Sequence, residues 1–309
     1  MGSIPFARSM TRPVSIGIQL PEAERRVDWP EYRDMALTAE GVGFDSLWLG
    51  DHLLYRTAGQ TTGPWEAWSL LAAIAAITQR VQIGPLVAAT SFHSPAMLAK
   101  KAATVDEVSG GRLILGLGAG WNEPEYRAFG FPFDHRASRF EEAFTIIRTL
   151  LRDGSIDFVG DYYAIRECEL VPRPRPGGPP LMVGSQGKRM LGITLPHVQM
   201  WNAWFSWFGN RPEGLATLLA ELDAACGAAG RDPSSVERTV AVMVAMPGAT
   251  EQSYGSPDRK AAPPVGVADL PDLLETYSRM GISHVQLVVD PITVGSIEAL
   301  GEVIAAFDR

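Results

Sequence analysis

One of the five histidines in this 309-residue chain stands where proton chemistry is most useful. His52 follows Asp51 at the end of a short apolar run, Ser46 to Gly50. Imidazole titrates near neutrality, so a histidine held in a cleft can give or take a proton there. His93, His135, His197 and His284 lack that combination of strand end and acidic neighbour. No histidine pair has the spacing of a helical metal site, and no metal is expected. Cys168 and Cys226 are too few for a disulfide framework, and their neighbours are not of metal-binding type.

A second chemistry is anion binding. Gly184, Ser185, Gln186 and Gly187 lead into a helix that opens with Lys188 and Arg189. Such a loop presents backbone N–H groups and a positive dipole end to a phosphate. It is not a Walker motif, because the second glycine does not precede Lys-Ser/Thr at the required spacing. The plain alternative is a solvated helix start. A dinucleotide site is excluded at Gly116, Gly118 and Gly120, because Trp121 stands where the third fingerprint glycine belongs and the long helix starts far downstream. Trp201, Trp204, Phe205, Trp207 and Phe208 form an aromatic patch, read either as core or subunit interface or as the wall of an apolar pocket. Trp65, Glu66 and Trp68 are open to the same two readings. A phosphate grip, flat apolar walls and one poised histidine together imply a planar cofactor bearing phosphate.

The elements that must position these residues alternate regularly. Strands are expected at 14–20, 46–50, 81–88, 113–117, 181–183, 200–203, 240–244 and 284–289. Helical spacing of apolar residues follows each one, at 29–40, 64–77, 95–108, beyond 134, 188–195, 212–229, 270–280 and 296–307. Eight βα units predict a (β/α)8 TIM barrel, with a doubly wound sheet as the runner-up. The expectation is one barrel domain over residues 1–309. An insertion with a short hairpin lies after helix 4, where 156–172 alternates. A long mobile loop, rich in Gly, Pro and Ser, lies after strand 7. Active sites of such barrels sit at the C-terminal ends of the strands, which is where Asp51-His52 and Gly184–Lys188 fall.

Composition sets limits. With 46% hydrophobic and 20% charged residues the chain can bury a large core, and its formal charge of −8 disfavours nucleic acid. It has no signal-type apolar segment and no run long enough to span a bilayer, so a cytoplasmic protein without a membrane partner is expected.

At these residues the chain resembles the bacterial luciferase-like monooxygenase superfamily, and within it the branch of oxidoreductases dependent on coenzyme F420. The resemblance is carried by AEGVGFDSLWLGDHL at 39–53, SPAMLAKKAATVDEVSGGRLILGLGAGWNEPEYRAFG at 94–130, GSQGKRML at 184–191 and Trp201-Asn202. It implies that Asp51 and His52 face a deazaflavin, with His52 the acid/base. It places the bulge that backs the ring system at Leu86, Val87 and Ala88, with any cis peptide expected at Pro85-Leu86. Ala88 stands where relatives often carry a hydroxyl. Gly120, Trp121, Asn122 and Tyr126 would complete the cofactor site, Gly184, Ser185, Gln186, Gly187 and Lys188 would hold its phosphate, and Trp65, Trp201, Asn202 and Trp204 would line the substrate pocket. Sugar-oxidising relatives carry a glutamate where this chain has Trp121, which argues against a sugar-phosphate substrate.

The implied activity is hydride transfer between F420 and a small, apolar organic substrate, in a homodimer. The alternatives are an FMN-dependent monooxygenase using O2, and a non-enzymatic flavin-binding accessory protein.

Overall fold

A computed structural model describes residues 12–57, 59–249 and 262–308. Eight short strands form one parallel ring: β1 (Ser15–Gln19), β2 (Ser46–Leu49), β3 (Gln82–Pro85), β4 (Leu115–Gly118), β5 (Leu181–Val183), β6 (Met200–Ala203), β7 (Glu237–Ala245) and β8 (Ile282–Asp290). β8 pairs with both β1 and β7, and the other neighbours follow in chain order. Closure depends on the third strand. Gln82–Pro85 pairs with β2, and after Leu86 and Val87 the strand resumes at Ala88–Ala89 to pair with Leu117 and Gly118 of β4. The cis peptide expected at Pro85-Leu86 lies one bond further on, at Leu86-Val87. Leu86 N–H still bonds to Leu49 O, so β3 keeps its pairing with β2 through Leu86 and breaks only beyond it.

The helices wrap this ring: α1 (Trp29–Gly41), α2 (Ala67–Ile77), α3 (Pro95–Val108), α4 (Glu123–Phe129), α5 (Arg136–Asp153), α6 (Lys188–Thr194), α7 (Pro212–Ala228), α8 (Leu270–Arg279) and α9 (Val294–Phe307). Proline opens α3 and α7, where a missing N–H costs nothing. α2 starts later than the expected Pro64. Glu66 caps it instead, accepting N–H bonds from Trp68 and Ser69 at 3.1 and 2.7 Å.

Two elements were not legible. The polar stretch after β2 holds a hairpin, Tyr55–Thr57 with Gln60–Thr62, and the loop after β4 folds into α4. The inserted hairpin after α5 is present, as Ser155–Val159 with Ala164–Glu169. Of the long loop after β7, residues 250–261 lie outside the described residues. No helix among the described residues is long and apolar enough to cross a membrane.

The ring's interior is packed, partly with polar groups. Asn202 donates to Thr239 Oγ1 and Gln286 Oε1, both at 2.8 Å. On β2, Ser46 Oγ bonds to His284 Nε2 and accepts from Trp48 Nε1, each at 2.7 Å. Side chains alternate along a strand, so Trp201 points the opposite way from Asn202.

Candidate active site

The mouth of the barrel is built around His52, the third residue after β2. Its Nδ1–H donates to Glu125 Oε1 at 2.8 Å, and its Nε2 lies 3.7 Å from Glu22 Oε1. Glu125 comes from α4 and is fully buried. Its other oxygen accepts the backbone N–H groups of Leu53 and Leu54, and Asn122 Nδ2 donates to Oε1 and to Leu54 O. One carboxylate therefore ties the loop after β4 to the loop after β2.

These contacts set the charge of both partners. Burial disfavours the charged ring of His52, but the Glu22 carboxylate and the hydrogen bond to Glu125 outweigh it and raise the imidazole above its ordinary value. Burial likewise pushes Glu125 up, but the bond from His52, its charge and the Leu53 N–H hold the carboxyl below its ordinary range. Each partner thus favours the charged form of the other.

Aromatic rings surround the imidazole. Tyr55 lies 4.8 Å away between centroids, and Trp121 meets it edge-on at 5.7 Å. Trp121 remains 60% exposed and Trp65 53% exposed, although the Trp65 indole N–H is fixed to Val27 O. Large aromatic side chains left uncovered at a barrel mouth are surfaces for a ligand rather than for the core.

The glycines of β4 explain themselves in the structure. A Cβ on Gly118 would lie 2.8 Å from Val87, and one on Gly184 3.0 Å from it. The break after β3 thus lays the half-buried Val87 side chain across the ends of β4 and β5, a close approach that only glycine permits. Leu86 and Ala88 are buried beside it. Beyond Gly184, Gln186, Gly187 and Lys188 are exposed, while Ser185 O accepts the Trp201 indole N–H at 2.8 Å. Arg189 turns away to Ser138 and Glu141 on α5, so among the described residues Lys188 is the cation at this loop without an ion pair.

Several expected residues serve the scaffold. Asp51 is buried and accepts from Ala89 N–H at 3.0 Å and His93 Nε2–H at 2.8 Å, which fixes the second half of the third strand. Tyr126 is fully buried between Phe92 and Phe133 with its hydroxyl on Ala119 O; burial pushes it up to about 12. Gly120 sits against that hydroxyl. Trp201 is buried outside the ring and Asn202 is bonded within it. Trp204 is half-buried against Phe205. The aromatic patch is therefore largely interior packing.

Sequence reading does not single out Glu22 or His93, nor Glu125 as the buried anchor of His52. Glu22 is buried after β1, where Gln19 and Tyr55 donate to its two oxygens. Only the proximity of two acids in Pro-Glu-Ala-Glu at a strand's C-terminal end signalled it.

The residues present fit a planar cofactor with an anionic tail. Two uncovered indoles and the Val87 shelf offer flat apolar surface, and the exposed Gln186-Gly187-Lys188 turn offers a cation where the tail would lie.

Comparison with known proteins bears on the family and the fold. The chain is 36% identical to the pyrimidine monooxygenase RutA of Cronobacter sakazakii over 55% of its own length and 51% of that protein. It is 38% identical to an F420-dependent glucose-6-phosphate dehydrogenase of Amycolatopsis mediterranei, over 46% of this chain and 43% of that one. The chain therefore spans about half the length of the curated relatives it matches. Its fold superposes on an F420-dependent secondary alcohol dehydrogenase with a TM-score of 0.79 at 21% identity, covering 95% of this chain and 99% of the other. The profile of the luciferase-like monooxygenases matches residues 10–254, and the chain belongs to that family.

Proposed function

We propose that the protein is an oxidoreductase that transfers a hydride between coenzyme F420 and a small, apolar organic substrate. The observation that carries this reading is the hydrogen-bonded His52–Glu125 pair at an aromatic-lined barrel mouth. A hydride transfer to or from a carbonyl or alcohol needs one proton moved at the oxygen, and His52 Nε2 is the nitrogen available for it. Nδ1 is already committed to Glu125.

The deazaflavin would supply the two-electron chemistry; the protein supplies placement, exclusion of water and the proton. Val87, Trp65 and Trp121 would hold the ring and substrate face to face. Lys188 and the Gln186-Gly187 backbone would take the phosphate.

A second reading is supported by the resemblance to RutA: the same mouth holding FMN would serve a monooxygenase. The two part on oxygen. Incubated anaerobically with reduced F420 and a panel of neutral planar carbonyl compounds, the enzyme is expected to return the deazaflavin to its oxidised absorbance. Turnover seen only with FMN and only when O2 is admitted would move the protein to the monooxygenase reading.

A further inference from the structure

His52 is gripped on one side and merely faced on the other. The Glu125 bond is at hydrogen-bond distance, whereas 3.7 Å from Nε2 to Glu22 Oε1 is beyond it. Glu22 is nonetheless fixed. Gln19 Nε2 donates to its Oε2 at 2.8 Å, Tyr55 OH donates to its Oε1, and its own N–H is taken by Glu24 at 2.7 Å. The niche exists because β2 is followed by glycine: a Cβ on Gly50 would lie 2.5 Å from Glu22 Oε2. Burial and the neighbouring Glu22 push the Glu24 carboxyl up to about 8. Of the two acids, Glu22 is the one whose oxygen faces Nε2. The other titratable groups facing His52 are Glu125 and Tyr55, with Asp51 behind the strand end.

We propose that Glu22 is the positioning residue for the reacting nitrogen: its carboxyl faces Nε2 across 3.7 Å, near enough to favour a proton there and too far to withhold it from a substrate oxygen that approaches more closely. The inference rests on His52 being the proton-transfer group of the reading above. When a carbonyl substrate is reduced with the two electrons the cofactor would supply, the Nε2–H bond of His52 would break and an O–H bond form on the substrate oxygen. The imidazole is left neutral with its Nδ1 hydrogen on Glu125. In the reverse direction Nε2 takes the hydroxyl proton and Glu22 offsets the charge that appears. The two carboxylates divide the work, with Glu125 orienting the ring and Glu22 setting how long its outer nitrogen stays protonated.

The test is an NMR titration of the His52 ring in the purified protein without cofactor, for wild type and Glu22→Gln. The amide keeps the volume of Glu22 and an acceptor for Tyr55. The midpoint of His52 is expected to move to lower pH, with Nδ1 still the protonated nitrogen of the neutral ring. Glu22→Asp, which keeps the charge but draws it back, is expected to fall between the two and carries the test if Glu22→Gln does not fold. In the loaded enzyme, kcat of Glu22→Gln is expected to fall about tenfold, with the KM for cofactor unchanged. An unchanged His52 midpoint in the variants overturns the proposal. Absence of F420 turnover in the wild type overturns the reading above instead, and leaves the titration to decide the role of Glu22.

Discussion

Replacing His52 by Asn is expected to lower kcat by roughly 10²–10⁴-fold, the range for removal of a general acid or base. The reasoning is specific to this ring. The Asn amide nitrogen falls near the position of Nδ1 and can still donate to Glu125, so the tie between the two loops survives. Nothing remains where Nε2 stood. Thermal stability and cofactor affinity are therefore expected to stay close to wild type while turnover collapses. Steady-state kinetics at saturating cofactor, alongside a melting curve, checks this. A loss below threefold would show that another group moves the proton. Because Glu22 and Glu125 raise the imidazole, wild-type activity in the direction that needs an acid should persist above the ordinary histidine range near pH 6.5 and fall only at higher pH.

The second large effect is on stability. Glu125 is fully buried and receives bonds from His52, Asn122 and the Leu53 and Leu54 amides. Glu125→Ala would leave the His52 ring and two backbone donors without their acceptor. Breaking a buried pair by removing one partner costs about 3–5 kcal/mol. At roughly 2–4 °C per kcal/mol for a chain of this class, the melting temperature should drop by about 10 °C.

The sign with pH follows from the two shifts. Glu125 is lowered, so its contribution is present above the ordinary carboxylate range and lost as pH falls through its depressed folded value. His52 is raised, so its contribution is full below about pH 6.5 and lost as pH rises through its elevated folded value. The gap between wild type and Glu125→Ala should be widest between those limits and shrink at both ends. A gap that does not vary with pH would mean that packing, not charge, holds the loops together.

The barrel was legible because periodicity is local. Each strand and the helix behind it declare their buried faces within about a dozen residues, and proline and glycine mark the ends. His52 was legible for the same reason, since its place at a strand end is a local fact. What surrounds it was not. Glu22 and Glu125 reach the imidazole from positions 30 residues upstream and 73 downstream, and no spacing links them. Glu125 lies between the glycines of β4 and the long helix α5, and only the fold of α4 turns it inward. Asp51 shows the same limit: its acidity beside a histidine suggests chemistry, and only the fold shows its oxygen accepting from Ala89 and His93. Trp201 shows the limit of composition, because an aromatic at a strand end faces the mouth or the helices according to its parity along the strand.

The cofactor is the claim on which the rest depends. The direct measurement is a parallel titration of purified protein with F420 and FMN, followed by fluorescence quenching. Micromolar or tighter binding of F420, with FMN far weaker and with F420 affinity reduced in Lys188→Ala, is the expected result. The reverse preference, or binding of neither, would contradict the assignment.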